Sequence, residues 1–243
     1  MSYQQNAFFS LSNNAIAWIN KKTNGITEYF DLQDENERLA EENRKLKESQ
    51  GSSFKAIEGD LYLKNDTVWK RQYRFLTANV ISGTLFQDKN YFTLDRGSED
   101  GVFNKRGVIS ADGIVGRIVA VSEHYSIVES VISETFSTGA YIPRTGHLGF
   151  LKWNKDPEYT LLTEVVVSAP IAIGDQVMSK DGSGYFPPDT PIGEVVEIEE
   201  NEGEPYYNIK LKLKTDFTKL KRVYIVSNEY QEELMHLQKE ITP

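Results

Sequence analysis

Between Phe75 and Val226 the chain is cut into short apolar runs by Gly and Asp, and this punctuation limits the possible folds more than any other feature. Ile209-Lys-Leu211-Lys-Leu213-Lys214 alternates apolar and cationic residues, the period of two expected for a strand with one buried face. Further strands are expected at Phe75–Ile81, Tyr91–Leu94, Gly113–Val121, Ser126–Ile132, Gly139–Ile142, Leu148–Trp153, Leu161–Val167, Gln176–Met178, Ile192–Ile198 and Arg222–Val226. Asp95-Arg-Gly97, Asp100-Gly101, Asp112-Gly113 and Asp181-Gly182 separate them, supplying the positive φ that tight hairpin turns require. About a dozen short strands at this spacing point to closed barrels or a sandwich. No helix-length period interrupts them, so parallel crossovers have no room.

The N-terminal part obeys a different period. Ala15 to Ser49 reads as one long helix, and its second half from Asp31 lacks Gly and Pro and is rich in strong helix formers. Leu32, Leu39 and Leu46 recur every seven residues, at heptad position d, which puts Tyr29, Asn36 and Asn43 at position a. An Asn at a pairs best with its own copy, so these six residues are the expected seam of a parallel homodimer. Glu42 at g can then reach Lys47 at e of the partner chain. A single amphipathic helix lying on its own domain is the competing reading, but such helices show a wider apolar stripe. Gly51 closes the helix, and a connector follows to about Arg74, packing one short segment, Leu61 to Trp69. The tail from Ser227 to Pro243 turns helical, with Tyr230, Leu234, Leu237 and Ile241 on one side.

Composition removes several classes of chemistry. There are 27 Lys and Arg against 36 Asp and Glu, a net charge of −9, which argues against nucleic acid as the partner because phosphate binding needs cations. The absence of cysteine excludes disulfides, thiolate metal sites and cysteine nucleophiles. No apolar run reaches the length of a membrane span, about 20 residues, and Phe8–Ile19 lacks the basic flank of a signal peptide. HExxH, GxxxxGK[ST] and GxGxxG are all missing, so no cofactor or resident metal is expected. A two-barrel serine peptidase remains as the enzyme alternative, with Ser183 as nucleophile and His124 as base, although Ser183 is equally well explained as part of a turn from Lys180 to Gly184. The acidic runs at 34–37 and 199–202 lack the oxygen spacing of a calcium loop, and the His147 turn reads as solvent-facing. Lys210, Lys212, Lys214, Lys219, Lys221 and Arg222 read as the wet face of the last strands.

Several segments together resemble one family. Tyr91-Phe-Thr-Leu-Asp-Arg-Gly-Ser-Glu-Asp-Gly-Val102, then Gly107-Val-Ile-Ser-Ala-Asp-Gly-Ile-Val-Gly-Arg-Ile-Val119, Gly146-His-Leu-Gly-Phe-Leu151, Gly174-Asp175-Gln-Val177 and Phe186-Pro-Pro-Asp-Thr-Pro-Ile-Gly-Glu-Val195 follow in the order and spacing of the MreC rod shape-determining proteins. Glu35 to Leu46 is similar to that family's coiled coil. The resemblance implies a transmembrane helix, a coiled coil and two small β-barrels at the periplasmic or extracytoplasmic face of the cytoplasmic membrane. It also implies a homodimer capable of higher assembly, acting as a non-enzymatic scaffold of the cell-elongation machinery that organises peptidoglycan synthases and so maintains rod shape. Its implied partners are MreD, the actin-like MreB system, RodA and the elongation-specific penicillin-binding transpeptidase. The membrane helix is missing from this sequence, so the anchor is expected to lie outside it.

The expected architecture is therefore mainly β, an N-terminal coiled-coil helix followed by two small antiparallel β-barrels. The expected limits are 1–50 for the dimerisation helix, 51–74 for the connector, 75–150 and 151–226 for the barrels, with strands free to cross between them, and 227–243 for the tail. Pro187, Pro188 and Pro191 form a rigid loop before the strand at Ile192. Phe150, Leu151 and Trp153 are the candidate partner contacts, because aromatic anchors dominate interfaces, although core packing accounts for them as well. A glycan-binding module using Trp69 or Trp153 is the third functional class.

Overall fold

A strand that is apolar on one face has to curl around that face or pair it with another sheet. The computed structural model, which describes residues 37–49, 54–58, 67–180, 185–200, 203–230 and 233, shows the first solution twice. Residues 37–49 form helix α1. Strands β1 (Phe54–Glu58) and β2 (Thr67–Arg71) make a separate antiparallel pair, with Ala56 opposite Trp69. The expected connector thus holds a hairpin. The barrel strands are β3 (Tyr73–Gly83), β4 (Tyr91–Leu94), β5 (Gly107–Ile109), β6 (Ile114–Val121), β7 (Ser126–Ser130), β8 (Gly139–Tyr141), β9 (Leu148–Trp153), β10 (Tyr159–Val166), β11 (Gln176–Ser179), β12 (Pro191–Glu200), β13 (Tyr206–Leu213) and β14 (Arg222–Asn228). Two closed antiparallel barrels result, in the orders β14-β3-β4-β7-β6-β5 and β10-β13-β12-β11-β8-β9.

This order corrects the expected boundary near Phe150. β8 and β9 belong to the second barrel, and the last strand, β14, returns to the first, between β3 and β5. The second barrel is an insertion between β7 and β14. Closure explains why: with β14 removed, β3 and β5 would each present an unpaired edge. Four consecutive residues of β14, Val223 to Val226, are buried, so this strand shows no alternation that would assign it to either half.

Elsewhere the expected alternation holds. Ile209, Leu211 and Leu213 of β13 turn inward, while Lys212 stays exposed and Lys210 half-buried. In β9 Gly149, Leu151 and Trp153 are buried, and Leu148, Phe150 and Lys152 are exposed. β5 falls in a run that composition leaves unmarked, because its three residues are all buried and too few to show a period.

The two barrels meet through segments that the sequence spaces far apart. A Cβ at Gly107 would lie 2.1 Å from the carbonyl oxygen of Tyr185, and one at Gly113 would lie 2.5 Å from that of Pro191. Both neighbours are backbone atoms, so only glycine permits this approach. Thr215, on the crossover from β13 to β14, donates from Oγ1 to the Ile114 carbonyl at 3.0 Å and shares a 3.0 Å hydrogen bond with Ser110 Oγ. Two residues on, Phe217 is buried and stacks on Phe92 of β4, ring centroids 6.1 Å apart.

If β14 completes the first barrel, truncation inside it should open a cavity at the closure. Ile225→Ala is expected to destabilise the protein by about 2–4 kcal/mol, read as a lowered urea midpoint with unchanged slope.

Candidate partner-binding surface

Phe150 projects from a strand whose neighbours hold it in register. Across β9 it faces Gly139 of β8 and Thr163 of β10, and Thr163 Oγ1 donates to the Phe150 carbonyl at 3.2 Å. Leu148, two residues earlier, faces Tyr141 of β8, and Lys152, two residues later, faces Leu161 of β10. Phe150 is 47% and Leu148 52% exposed. The outer face of β8–β10 is therefore a short apolar stripe, with a hydroxyl and an ammonium at its border. Large apolar side chains in that position can bury area against a partner, and they contribute binding without chemistry.

Leu151 and Trp153, expected as contacts alongside Phe150, are corrected: they are 2% and 5% exposed and face the barrel interior, since alternate residues of a strand point to opposite faces. The Trp153 indole donates from Nε1 to the Asp156 carbonyl at 2.7 Å, which also removes it as a glycan platform. The side chain of Trp69 lies outside the described residues. Leu148 is the exposed apolar neighbour that sequence reasoning missed; the period that places Phe150 outward places Leu148 on the same face.

Three seam residues, Tyr29, Leu32 and Asn36, lie outside the described residues. On α1, Leu39 and Leu46 are 42% and 57% exposed. Asn43 donates from Nδ2 to the Leu39 carbonyl at 3.0 Å, within its own helix. Within the single chain Glu42 pairs with Arg38 at 3.3 Å, and the Lys47 ammonium sits 5.8 Å from the centre of the Tyr224 ring. Burial holds the Lys47 ammonium below its usual pKa, and Asp112 opposes that shift.

The remaining motif side chains support the scaffold. Arg144 grips Asp175 through Nε at 2.5 Å and Nη2 at 2.7 Å, and its Nη2 also reaches the Pro170 carbonyl at 2.5 Å. The Arg144 hydrogen bond, helped by one from the Ala172 amide, holds the Asp175 carboxyl below its ordinary value. Asn90, fully buried, donates to the carbonyls of Gln87 and Ile132 at 2.7 and 2.6 Å, fastening the loop before β4 to the end of the β7 segment. Ser183 lies outside the described residues, and His124 stands in the open beside Glu99. His147 is half-buried rather than solvent-facing. In the basic cluster, Lys214, Lys210 and Lys219 pair with Glu194, Glu197 and Asp216, as a solvated strand face does.

Two closed six-stranded barrels, the second inserted between strands of the first and carrying an exposed apolar stripe, define the class of two-barrel β proteins. The model of the rod shape-determining protein MreC, barrel core, matches residues 80–227. This chain belongs to the MreC family. Similar proteins include the cell shape-determining protein MreC of Caulobacter vibrioides, 27% identical over 189 residues, 74% of this chain and 52% of that protein, so the chain spans about half of it. Among solved structures, MreC of Listeria monocytogenes has a TM-score of 0.60 at 22% identity, covering 84% of this chain and 92% of that one. The MreC in a complex with penicillin-binding protein PBP2 from Helicobacter pylori has a TM-score of 0.55 at 21% identity, covering 65% and 99%.

The Arg144–Asp175 pair sets a pH dependence. A carboxyl whose folded pKa is lowered stabilises the fold above its unfolded value, and that stabilisation disappears as pH falls through the folded value. Between about pH 5 and pH 3 the wild type should lose stability more steeply than Arg144→Gln, read by urea denaturation at each pH; parallel curves would remove the pair from this role.

Proposed function

We propose that this protein is a non-enzymatic homodimeric scaffold that organises peptidoglycan synthases of the cell-elongation machinery and so maintains rod shape. It acts at the extracytoplasmic face of the cytoplasmic membrane. Membership of a shape-determining family supports the process, and the Helicobacter pylori complex supports a penicillin-binding transpeptidase as the synthase. Periplasmic-domain structures of relatives support the compartment. MreD, the MreB system and RodA complete the expected assembly.

The observation that carries the reading is the exposed stripe of Leu148 and Phe150 on a rigid barrel face. Rigidity matters because a surface fixed before encounter loses little conformational entropy on binding. The stripe meets the transpeptidase, Phe150 filling an apolar recess while Lys152 stays at the wet rim. Recruitment of this kind requires only binding free energy. An open histidine beside Glu99, as His124 is, lacks the shielding and orientation that a peptidase base requires.

The helix supplies the second half of the proposal. Leu39 and Leu46 recur at the heptad interval on exposed positions of α1, and pairing two copies would bury them. Two paired copies then engage partners with the added strength of bivalency.

Phe150→Glu is expected to weaken binding of the soluble transpeptidase domain by at least about tenfold in surface plasmon resonance, with circular dichroism unchanged; equal affinity would sink the stripe. Leu39→Lys with Leu46→Lys should shift the protein from dimer to monomer in light scattering while its β-sheet spectrum persists. A wild type already monomeric at high concentration would refute the helix seam as sufficient for pairing.

A further inference from the structure

A chemically different cluster lies on the first barrel, apart from the apolar stripe. Glu99 belongs to the 3-10 turn Ser98–Asp100, and Glu123 and His124 belong to the turn between β6 and β7. The two turns are fixed against each other by backbone hydrogen bonds, Ser98 N to the Ser122 carbonyl at 2.9 Å and Glu99 N to the Glu123 carbonyl at 3.2 Å. One imidazole nitrogen and one oxygen from each carboxylate lie within 4.8 Å of one another, with His124 Nδ1 3.3 Å from Glu99 Oε2.

The donor types decide what such a cluster can take. Carboxylates alone suit the hard cations calcium and magnesium, which require several more oxygens than are present here. An imidazole with two carboxylates instead matches a borderline ion such as Zn2+, which accepts three protein ligands and leaves a position open. Tetrahedral zinc with ligand bonds of about 2.0–2.2 Å places its donors about 3.4 Å apart. His124 Nδ1 and Glu99 Oε2 are already at that spacing, 3.3 Å apart, and the three donors lie within 4.8 Å of one another; all three side chains are exposed, so rotation about their own bonds brings the set to distance. A dication also relieves the repulsion between Glu99 and Glu123.

We propose that Glu99, Glu123 and His124 form a surface Zn2+ site whose open positions are taken by water or by a donor from another molecule. The loop pairing explains why the donors converge: two turns distant in sequence are held in one register, so the ligand positions exist before the ion arrives. Asp100 is excluded from the set because its carboxylate accepts from the Gly97 amide at 3.0 Å.

The test is calorimetric titration of tag-free protein with Zn2+, supported by visible absorption after loading with Co2+. One site per chain is expected, weakened at least about tenfold by His124→Ala and less severely by Glu99→Gln, with the circular dichroism spectrum unaltered in both. The cobalt bands should vanish in His124→Ala. Zn2+ uptake that persists undiminished in that variant, or a wild type that takes up none, overturns the site.

Discussion

The crossover from β13 to β14 is where the architecture is decided. Thr215 joins it to the first barrel through the Ile114 carbonyl and Ser110, both buried, and Phe217 continues the attachment by stacking on Phe92. A buried hydroxyl that satisfies a carbonyl is worth little on its own, yet leaving either group unpaired would cost about 1–3 kcal/mol. That asymmetry fixes the point at which the chain re-enters the first barrel. Once it does, β14 pairs on both sides, and no edge strand remains in either barrel.

Packing between the barrels depends on the same region. Gly107 and Gly113 flank the β5–β6 hairpin and face the backbone around Tyr185 and Pro191, the loop rich in proline. Proline restricts that loop before contact is made, and glycine removes the side chains that would hold it away. Two motifs that look unrelated along the chain are therefore the two sides of one contact. Their contribution to this contact is steric.

The residues divide between those that hold the fold together and those that the barrel turns outward. Arg144, Asp175 and Asn90 belong to the first kind: each joins loops at the ends of strands and leaves the barrel faces free. Leu148 and Phe150 belong to the second, held outward by strand pairing on both sides. A stalk seam at Leu39 and Leu46 would multiply that surface. The proposed metal cluster sits on the other barrel, so it and the apolar stripe occupy separate surfaces.

Much of this was legible in the residues. Alternation placed the core of β13, Asp112-Gly113 marked the turn between β5 and β6, and the family motifs implied two barrels; local periods and turn preferences act over a few residues. In β9 the same period separates Leu151 and Trp153 from Phe150 and Lys152, a distinction that grouping three of them as contacts overlooked. What only the tertiary structure decided was membership: β8 and β9 in the second barrel, β14 in the first, and Glu99 beside His124. Those are choices of partner among strands and turns that are locally alike, and they are made by edge closure and backbone fit between segments remote in sequence, which no local pattern encodes.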